Sequence, residues 1–304
     1  MSRPQRPRRS AHAVPGSNER FLAKAATLDA DEVFLDLEDA AAESDKEAAR
    51  ALVTRALQTL EFVARSVAVR VNATGTPHYH RDLIAVVEQA GARVDSIIVP
   101  KVATPGDIEM TDKLLGALER GSGLEPGRIA IQAQIESPAG LVACEAIATA
   151  SPRLESLVFG PGDWSAAVGV PVTTIGGDPD GYPGDHLNYV RSRILVAARA
   201  AGIQAIDGPY GQIGDIDGLV RRASLARALG YDGKWTIHPE QIAPVNDVFT
   251  PTDKELERAS GLLDAYERAT SGSARFEGEM IDEASRKMAE RVVRTARAAG
   301  LVKE

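Results

Sequence analysis

Two carboxylates, Glu136 and Asp163, each close a short apolar run, residues 129–135 and 156–159. If those runs are adjacent strands, the two side chains converge, and a carboxylate pair completed by substrate oxygens and water is a usual way to hold Mg²⁺, with Mn²⁺ as an alternative. Read singly, Glu136 would instead serve the dipole of a helix opening at Ser137, and Asp163 would be a turn residue. Arg70, in Val67-Ala68-Val69-Arg70-Val71-Asn72, shares a strand face with Ala68 and Asn72. There it is a permanent cation able to hold a developing enolate or a carboxylate, or else a structural partner of Glu38 or Asp39. Glu38 and Asp39 are candidates to hold cation-bound water, or simply begin a charged loop before Ser44. The turn Pro161-Gly162-Asp163 can present backbone N–H groups to a small carboxylate.

Ser17, Arg20 and Lys24 lie along one side of a helix start, where they can receive phosphates such as those of coenzyme A, or form a solvated face. His238, at the end of an apolar run, is a ligand, a base or a structural hydrogen-bonding group. Cys144 sits in an apolar helical run, a poor setting for a nucleophile. No GxGxxG, Walker loop, paired CxxC or GxSxG motif is present, so dinucleotide, NTP, zinc-ribbon and α/β-hydrolase chemistries lose their usual support.

The elements that must position these groups alternate between Val/Ile-rich runs and helical spacing, the α/β signature. Strands are expected at residues 11–14, 32–37, 66–71, 96–99, 129–135, 156–159, 203–206 and 234–237. Eight strands separated by helices suit a (β/α)₈ TIM barrel, whose strand ends all point their polar residues to one face. Ser17 is expected to open a helix, Ser137-Pro138 to place a cap before an N1 proline, and Thr252 with Glu255 to form a capping box. The Gly- and Pro-rich residues 175–184 predict a long loop over the catalytic face. Residues 1–9 are expected to be a flexible arm, residues 10–250 the barrel, and residues 251–304 a C-terminal helical extension acting as a lid. That extension has a small-residue linker, Thr270-Ser271-Gly272-Ser273-Ala274, and an amphipathic helix from about Ile281, with Ile281, Ala284, Met288 and Val292 on its apolar stripe.

The 304 residues are 44% hydrophobic and 26% charged, enough to build a large core. A formal net charge of -8 argues against nucleic acid or an anionic membrane surface as the main partner. With one cysteine no intramolecular disulfide can form, which suits the cytoplasm, and no apolar run reaches the length of a membrane span.

Taken in order, Val14-Pro15-Gly16-Ser17 with Arg20 and Lys24, Leu35-Asp36-Leu37-Glu38-Asp39, Arg70-Val71-Asn72, Pro100-Lys101, Glu136-Ser137-Pro138-Ala139-Gly140, Gly160-Pro161-Gly162-Asp163, Asp207-Gly208-Pro209 and Gly233-Lys234-Trp235-Thr236-Ile237-His238-Pro239 resemble the citrate lyase β-subunit-like family. That family includes malyl-CoA, methylmalyl-CoA and citramalyl-CoA lyases. Phe276-Glu277-Gly278-Glu279-Met280-Ile281-Asp282 resembles its C-terminal lid. The resemblance implies Mg²⁺ on Glu136 and Asp163, Arg70 at the thioester and enolate oxygen, Glu38 and Asp39 on metal-bound water, and Arg20 and Lys24 at coenzyme A. It also implies a homotrimer or hexamer, and a substrate that is an acyl-CoA cleaved to, or made from, a small 2-keto acid. Gly162, Asp163 and Trp164 would meet that acid, and Trp164 departs from the smaller residue common in the family. Asp282 is read as an acid or base delivered by the lid to a neighbouring subunit, or as the cap of its helix. Thioester hydrolysis, or a subunit acting on an acyl-carrier protein, is the alternative.

Overall fold

A computed structural model of the chain describes residues 6–269 and 272–302. Eight parallel strands close into a barrel in sequential order: β1 (Ser10–Pro15), β2 (Glu32–Asp36), β3 (Ser66–Arg70), β4 (Ser96–Val99), β5 (Ala130–Ile135), β6 (Leu154–Phe159), β7 (Gln204–Asp207) and β8 (Gly233–Thr236). Closure is made by β1 on β8, with Ala11 beside Trp235 and His12 beside Thr236. The strands are short and buried almost throughout, as expected when helices cover one face and the barrel interior the other. All eight expected strands are present, with ends shifted by at most two residues.

Around the barrel run the helices α1 (Glu19–Ala25), α2 (Lys46–Thr59), α3 (Tyr79–Ala90), α4 (Pro105–Gly121), α5 (Pro138–Val142), α6 (Cys144–Ala148), α7 (Pro161–Val168), α8 (Asn188–Ala200) and α9 (Ile216–Leu229), and α10 (Ile242–Phe249) follows β8. Ser137 caps α5 by accepting from the Gly140 amide at 3.1 Å, with Pro138 next to it. Ser17 does not open α1 as its sequence suggested. Asn18 is the cap, accepting from Phe21 N, while Ser17 Oγ donates to Ala40 O.

Strand alternation stacks the barrel interior in three levels. At the N-terminal end, Glu32 accepts from Ser66 Oγ at 2.8 Å and from Gln132 Nε2 at 3.0 Å, and Gln132 joins Ser96 and Ser156. Above it lies an apolar level of Ala11, Phe34, Ala68, Ile98, Val158, Ile206 and Trp235. The next residues along the faces of β2 and β3 are Asp36 and Arg70, and Glu136 follows Gln134 past the end of β5, so the polar level sits at the C-terminal mouth.

The expected flexible arm is corrected in its last residues. Residues 1–5, including Arg3, lie outside the described residues, but Arg8 is fully buried and closes the bottom of the barrel. Its guanidinium donates to Glu32 (2.8 Å), Glu155 (2.7 Å) and Gln204 (2.5 Å), and Arg9 pairs with Asp31. Gly233 makes this passage feasible, because a Cβ there would stand 1.7 Å from Arg8 O.

The chain divides between Asn246 and Asp247 into two compact units. The second holds α11 (Asp253–Glu267), a hairpin of β9 (Ala274–Phe276) and β10 (Glu279–Ile281), and α12 (Glu283–Ala298). Thr252 and Glu255 form the capping box read from sequence. The hairpin was not legible as strands: its three-residue arms are too short for a period-2 signal, and Glu277 and Gly278 both turn through positive φ. The stripe Ile281, Ala284, Met288, Val292 is also corrected, since Met288 and Ala284 are exposed and Ile281, Ala289 and Ala296 form the buried line. Of the expected linker, Thr270 and Ser271 lie outside the described residues.

Removing Arg8 would strand Glu32 as a buried charge and leave Glu155 with Arg6 alone. Arg8→Ala should therefore lower the unfolding free energy by about 3–5 kcal/mol. Urea denaturation checks this, and a loss below about 1 kcal/mol contradicts the role given to Arg8.

Candidate active site

Register places the site before any side-chain detail does. Asp36 on β2 stands directly beside Arg70 on β3. The guanidinium forks onto the Asp36 carboxylate, with Nε to Oδ1 at 2.8 Å and Nη2 to Oδ2 at 2.6 Å. Trp235 lies beneath, its ring centroid 5.5 Å from the guanidinium carbon, close enough for cation–π attraction. Burial disfavours the Arg70 charge, but Asp36, Glu38 and Asp39 more than offset it, and the group stays protonated. With two nitrogens spent on Asp36, the third, Nη1, faces Glu38 at 3.0 Å and Asp39 at 3.4 Å.

Glu38 is buried, and its pKa is raised by burial despite Arg70 and Lys101. Its Oε2 has the Arg70 charge beside it but no well-directed hydrogen bond. Its other oxygen takes the Lys101 ammonium, which also lies 3.5 Å from Asp39. Lys101 is one of two non-glycine residues with positive φ among the described residues, at 52°. That turn aims its backbone amide at Glu136 Oε1, 2.6 Å away.

Glu136 follows β5 and is buried, whereas Asp163 is exposed in the first turn of α7. The two carboxylates are close enough to repel. Burial, then Glu38 and Asp163, push the Glu136 pKa from 4.5 up to about 9. Yet both Glu136 oxygens accept from N–H groups, Oε1 from Lys101 and Oε2 from Gln134 Nε2 at 2.6 Å, a setting built for the ionised form. A hard divalent cation reconciles the two facts by supplying the missing positive charge, so the donors present fit one. Gly160 leaves room for the carboxylate, since a Cβ there would fall 2.4 Å from Glu136 Oε2. Among the described residues, no group of three or more His, Cys, Asp or Glu could hold a metal by itself, so a cation here depends on two carboxylates and non-protein oxygens.

Gly162, Asp163 and Trp164 follow in the first turn of α7, with Ile175 of the Gly-rich loop lying against Gly162. The Ile175 carbonyl accepts from Gly211 N at 2.8 Å, and Asp178 and Asp185 pair with buried Arg222, so the loop is tied down on the β6 and β7 side. Arg20 and Lys24 are exposed on α1 beyond β1. Asp282 caps α12 in the second unit, accepting from Ser285 N at 3.0 Å, and its pKa is lowered first by that amide.

Three groups singled out by sequence lie elsewhere. Asp207 faces outward, bonded to Arg191 and Lys234. His238 caps a short 3₁₀ turn by accepting from Glu240 N at 3.4 Å. Cys144 is buried against Glu145. Conversely, the sequence reading placed Asp36 and Lys101 among the polar strand ends without an individual role, and did not single out Gln134. Asp36 and Gln134 carried a usable signal, since each shares its strand face with a residue already singled out or with the core. The left-handed turn at Lys101 had none.

An eight-stranded parallel barrel with an acidic, cation-ready mouth around one fixed arginine defines a class of barrel enzymes whose chemistry sits at the strand C-termini. The profile of the HpcH/HpaI aldolase/citrate lyase family matches residues 9–239, and the chain belongs to that family. The L-malyl-CoA/beta-methylmalyl-CoA lyase of Cereibacter sphaeroides is 38% identical over 96% of each chain. The citrate lyase subunit beta of Leuconostoc mesenteroides is 36% identical, covering 98% of this chain and 96% of its own. Among solved structures, protein CitE from Mycobacterium tuberculosis in complex with magnesium, acetoacetate and coenzyme A has a TM-score of 0.73 and 29% identity, covering 95% of this chain and 97% of its own.

The raised Glu136 pKa has a definite sign. Between about pH 4.5 and 9 the folded cation-free protein keeps a proton that the unfolded chain releases, so stability contributed at low pH is lost as pH rises through that window. Melting temperatures of the cation-free protein should fall across it more steeply than those of Glu136→Gln. Parallel slopes would contradict this account of Glu136.

Proposed function

We propose that the chain is a Mg²⁺-dependent carbon–carbon lyase of coenzyme A thioesters. Its substrate is a 3-hydroxyacyl-CoA such as malyl-CoA, β-methylmalyl-CoA or citramalyl-CoA. Cleavage gives glyoxylate or pyruvate and acetyl-CoA or propionyl-CoA, and the reverse reaction forms the same bond. The observation that carries this reading is the Arg70 guanidinium, locked by Asp36 and facing the acids Glu38, Asp39 and Glu136. Names of relatives support it: an L-malyl-CoA/beta-methylmalyl-CoA lyase, and a CitE structure holding magnesium and coenzyme A.

In cleavage a base, assigned below to the Asp282 carboxylate, takes the proton of the substrate hydroxyl, whose oxygen becomes the carbonyl of the keto acid as the C–C electron pair moves onto the thioester as an enolate. The enolate then takes a proton on carbon. Arg70 stabilises the enolate oxygen through its Nη1 edge, an effect on the order of 3–4 kcal/mol per well-placed donor. Glu136 and Asp163 would hold Mg²⁺, which when bound would supply Lewis-acid polarisation of the keto-acid oxygens. Glu38 and Asp39 order water beside it, the Gly162 amide receives the keto-acid carboxylate, and Trp164 limits its side group. Arg20 and Lys24 meet the coenzyme A phosphates as charges, while the Ser17 hydroxyl, spent on Ala40 O, shapes the turn that carries them. Assembly as a homotrimer or hexamer belongs to the same reading. A carrier-protein substrate is the second reading, supported by the citrate lyase subunit beta relative.

The test is incubation with Mg²⁺, glyoxylate and acetyl-CoA or propionyl-CoA, followed by mass detection of acyl-CoA products and free thiol. A malyl-CoA or methylmalyl-CoA product is expected, abolished in folded Glu136→Ala and Asp163→Ala. Free thiol as the main product indicates hydrolysis; turnover only with an acyl-carrier protein indicates the second reading. Full activity in chelator contradicts the cation requirement.

Proton transfer by Asp282 is part of the proposal. Because Asn caps a helix about as well as Asp, Asp282→Asn should keep stability and cut turnover by roughly 10²-fold. Unchanged turnover would leave Asp282 as a cap alone.

A further inference from the structure

Among the described residues, the barrel mouth sets five carboxylates, Asp36, Glu38, Asp39, Glu136 and Asp163, against two cations that ion-pair with them, Arg70 and Lys101, while the buried Lys46 ammonium donates to the Leu37 and Glu38 carbonyls. The two cations are not equivalent. Arg70 is buried, 9% exposed in its side chain, and forked on Asp36, so it cannot leave without stranding that acid. Lys101 is 41% exposed on a four-carbon stem, and its contacts are ion pairs with Glu38 and Asp39. These are the acids assigned above to water beside Mg²⁺. Its backbone is tied separately, through the amide on Glu136, so the ammonium can withdraw without disturbing that carboxylate.

We propose that Lys101 is an internal counter-ion that occupies the acid cluster when the divalent cation is absent and yields Glu38 and Asp39 when the cation enters. This rests on the cation-dependent reading of the site. The left-handed turn at Lys101 serves both functions, sending the amide to Glu136 and the ammonium to Glu38 from one residue. A divalent cation therefore binds in competition with the resident ammonium, and the site never carries its full negative charge.

The test measures Mn²⁺ binding to the purified protein without substrate, by electron paramagnetic resonance of the free ion. Lys101→Met and Lys101→Gly remove the competitor, and each should bind Mn²⁺ on the order of tenfold more tightly than wild type. Lys101→Arg, keeping the charge, should stay within about threefold of wild type. The glycine variant adopts positive φ without strain, so agreement between it and Met assigns the effect to the ammonium rather than the backbone. If one of these two fails to fold, by circular dichroism, the other decides. Wild-type binding with unchanged or weaker binding in the folded variant overturns the counter-ion while leaving the cation site intact. No Mn²⁺ binding by wild type or by the folded variants overturns both.

Discussion

Like charges gathered in a low-dielectric mouth repel, and this barrel tolerates them by locking one arginine among them. The Asp36–Arg70 fork joins neighbouring strands at their C-terminal ends and rests on Trp235. Removing either partner would leave the other as an uncompensated buried charge, a larger penalty than the net value of the pair. Everything else at the mouth is arranged around the edge of Arg70 that Asp36 does not use. Glu38 and Asp39 lean on that edge, Lys101 balances them from the far side, and Glu136 is held by amide donors alone.

The same economy of charge runs down the barrel axis. A polar level around Glu32 is closed by Arg8 at the bottom, an apolar level insulates it, and the acid-rich level opens at the top. The apolar level separates the two charged ends, and its Trp235 lies under Arg70. In the proposed reaction such fixing serves Arg70, because an electrostatic stabiliser is effective only if it need not reorganise when charge develops.

Much of this was legible in the sequence because strand alternation has a fixed period. Phe34 to Asp36, Ala68 to Arg70 and Gln134 to Glu136 each step from one interior level toward the mouth, so the barrel and the placing of Arg70 and Glu136 at its mouth followed from short apolar runs ending in charge, whereas Asp163 lies beyond β6 in the first turn of α7. What stayed hidden depends on tertiary partners. Whether Arg70 pairs with Asp36 or with Glu38 is decided by register, which periodicity does not state. The buried Arg8 looked like part of a solvated arm because its partners Glu32, Glu155 and Gln204 are distant in sequence. Lys101 gave no sign of its left-handed turn, since lysine normally avoids it, and the hairpin at Glu277-Gly278 was too short to announce itself.

The central claim is that the mouth holds a divalent cation on Glu136 and Asp163 beside a fixed Arg70. Diffraction at the manganese absorption edge from crystals grown with Mn²⁺ tests it most directly. The account predicts one anomalous peak at coordination distance, about 2.0–2.3 Å, from a carboxylate oxygen of each residue, with the Asp36–Arg70 fork unchanged. A peak elsewhere in the barrel, or none at full Mn²⁺ occupancy in solution, would contradict it.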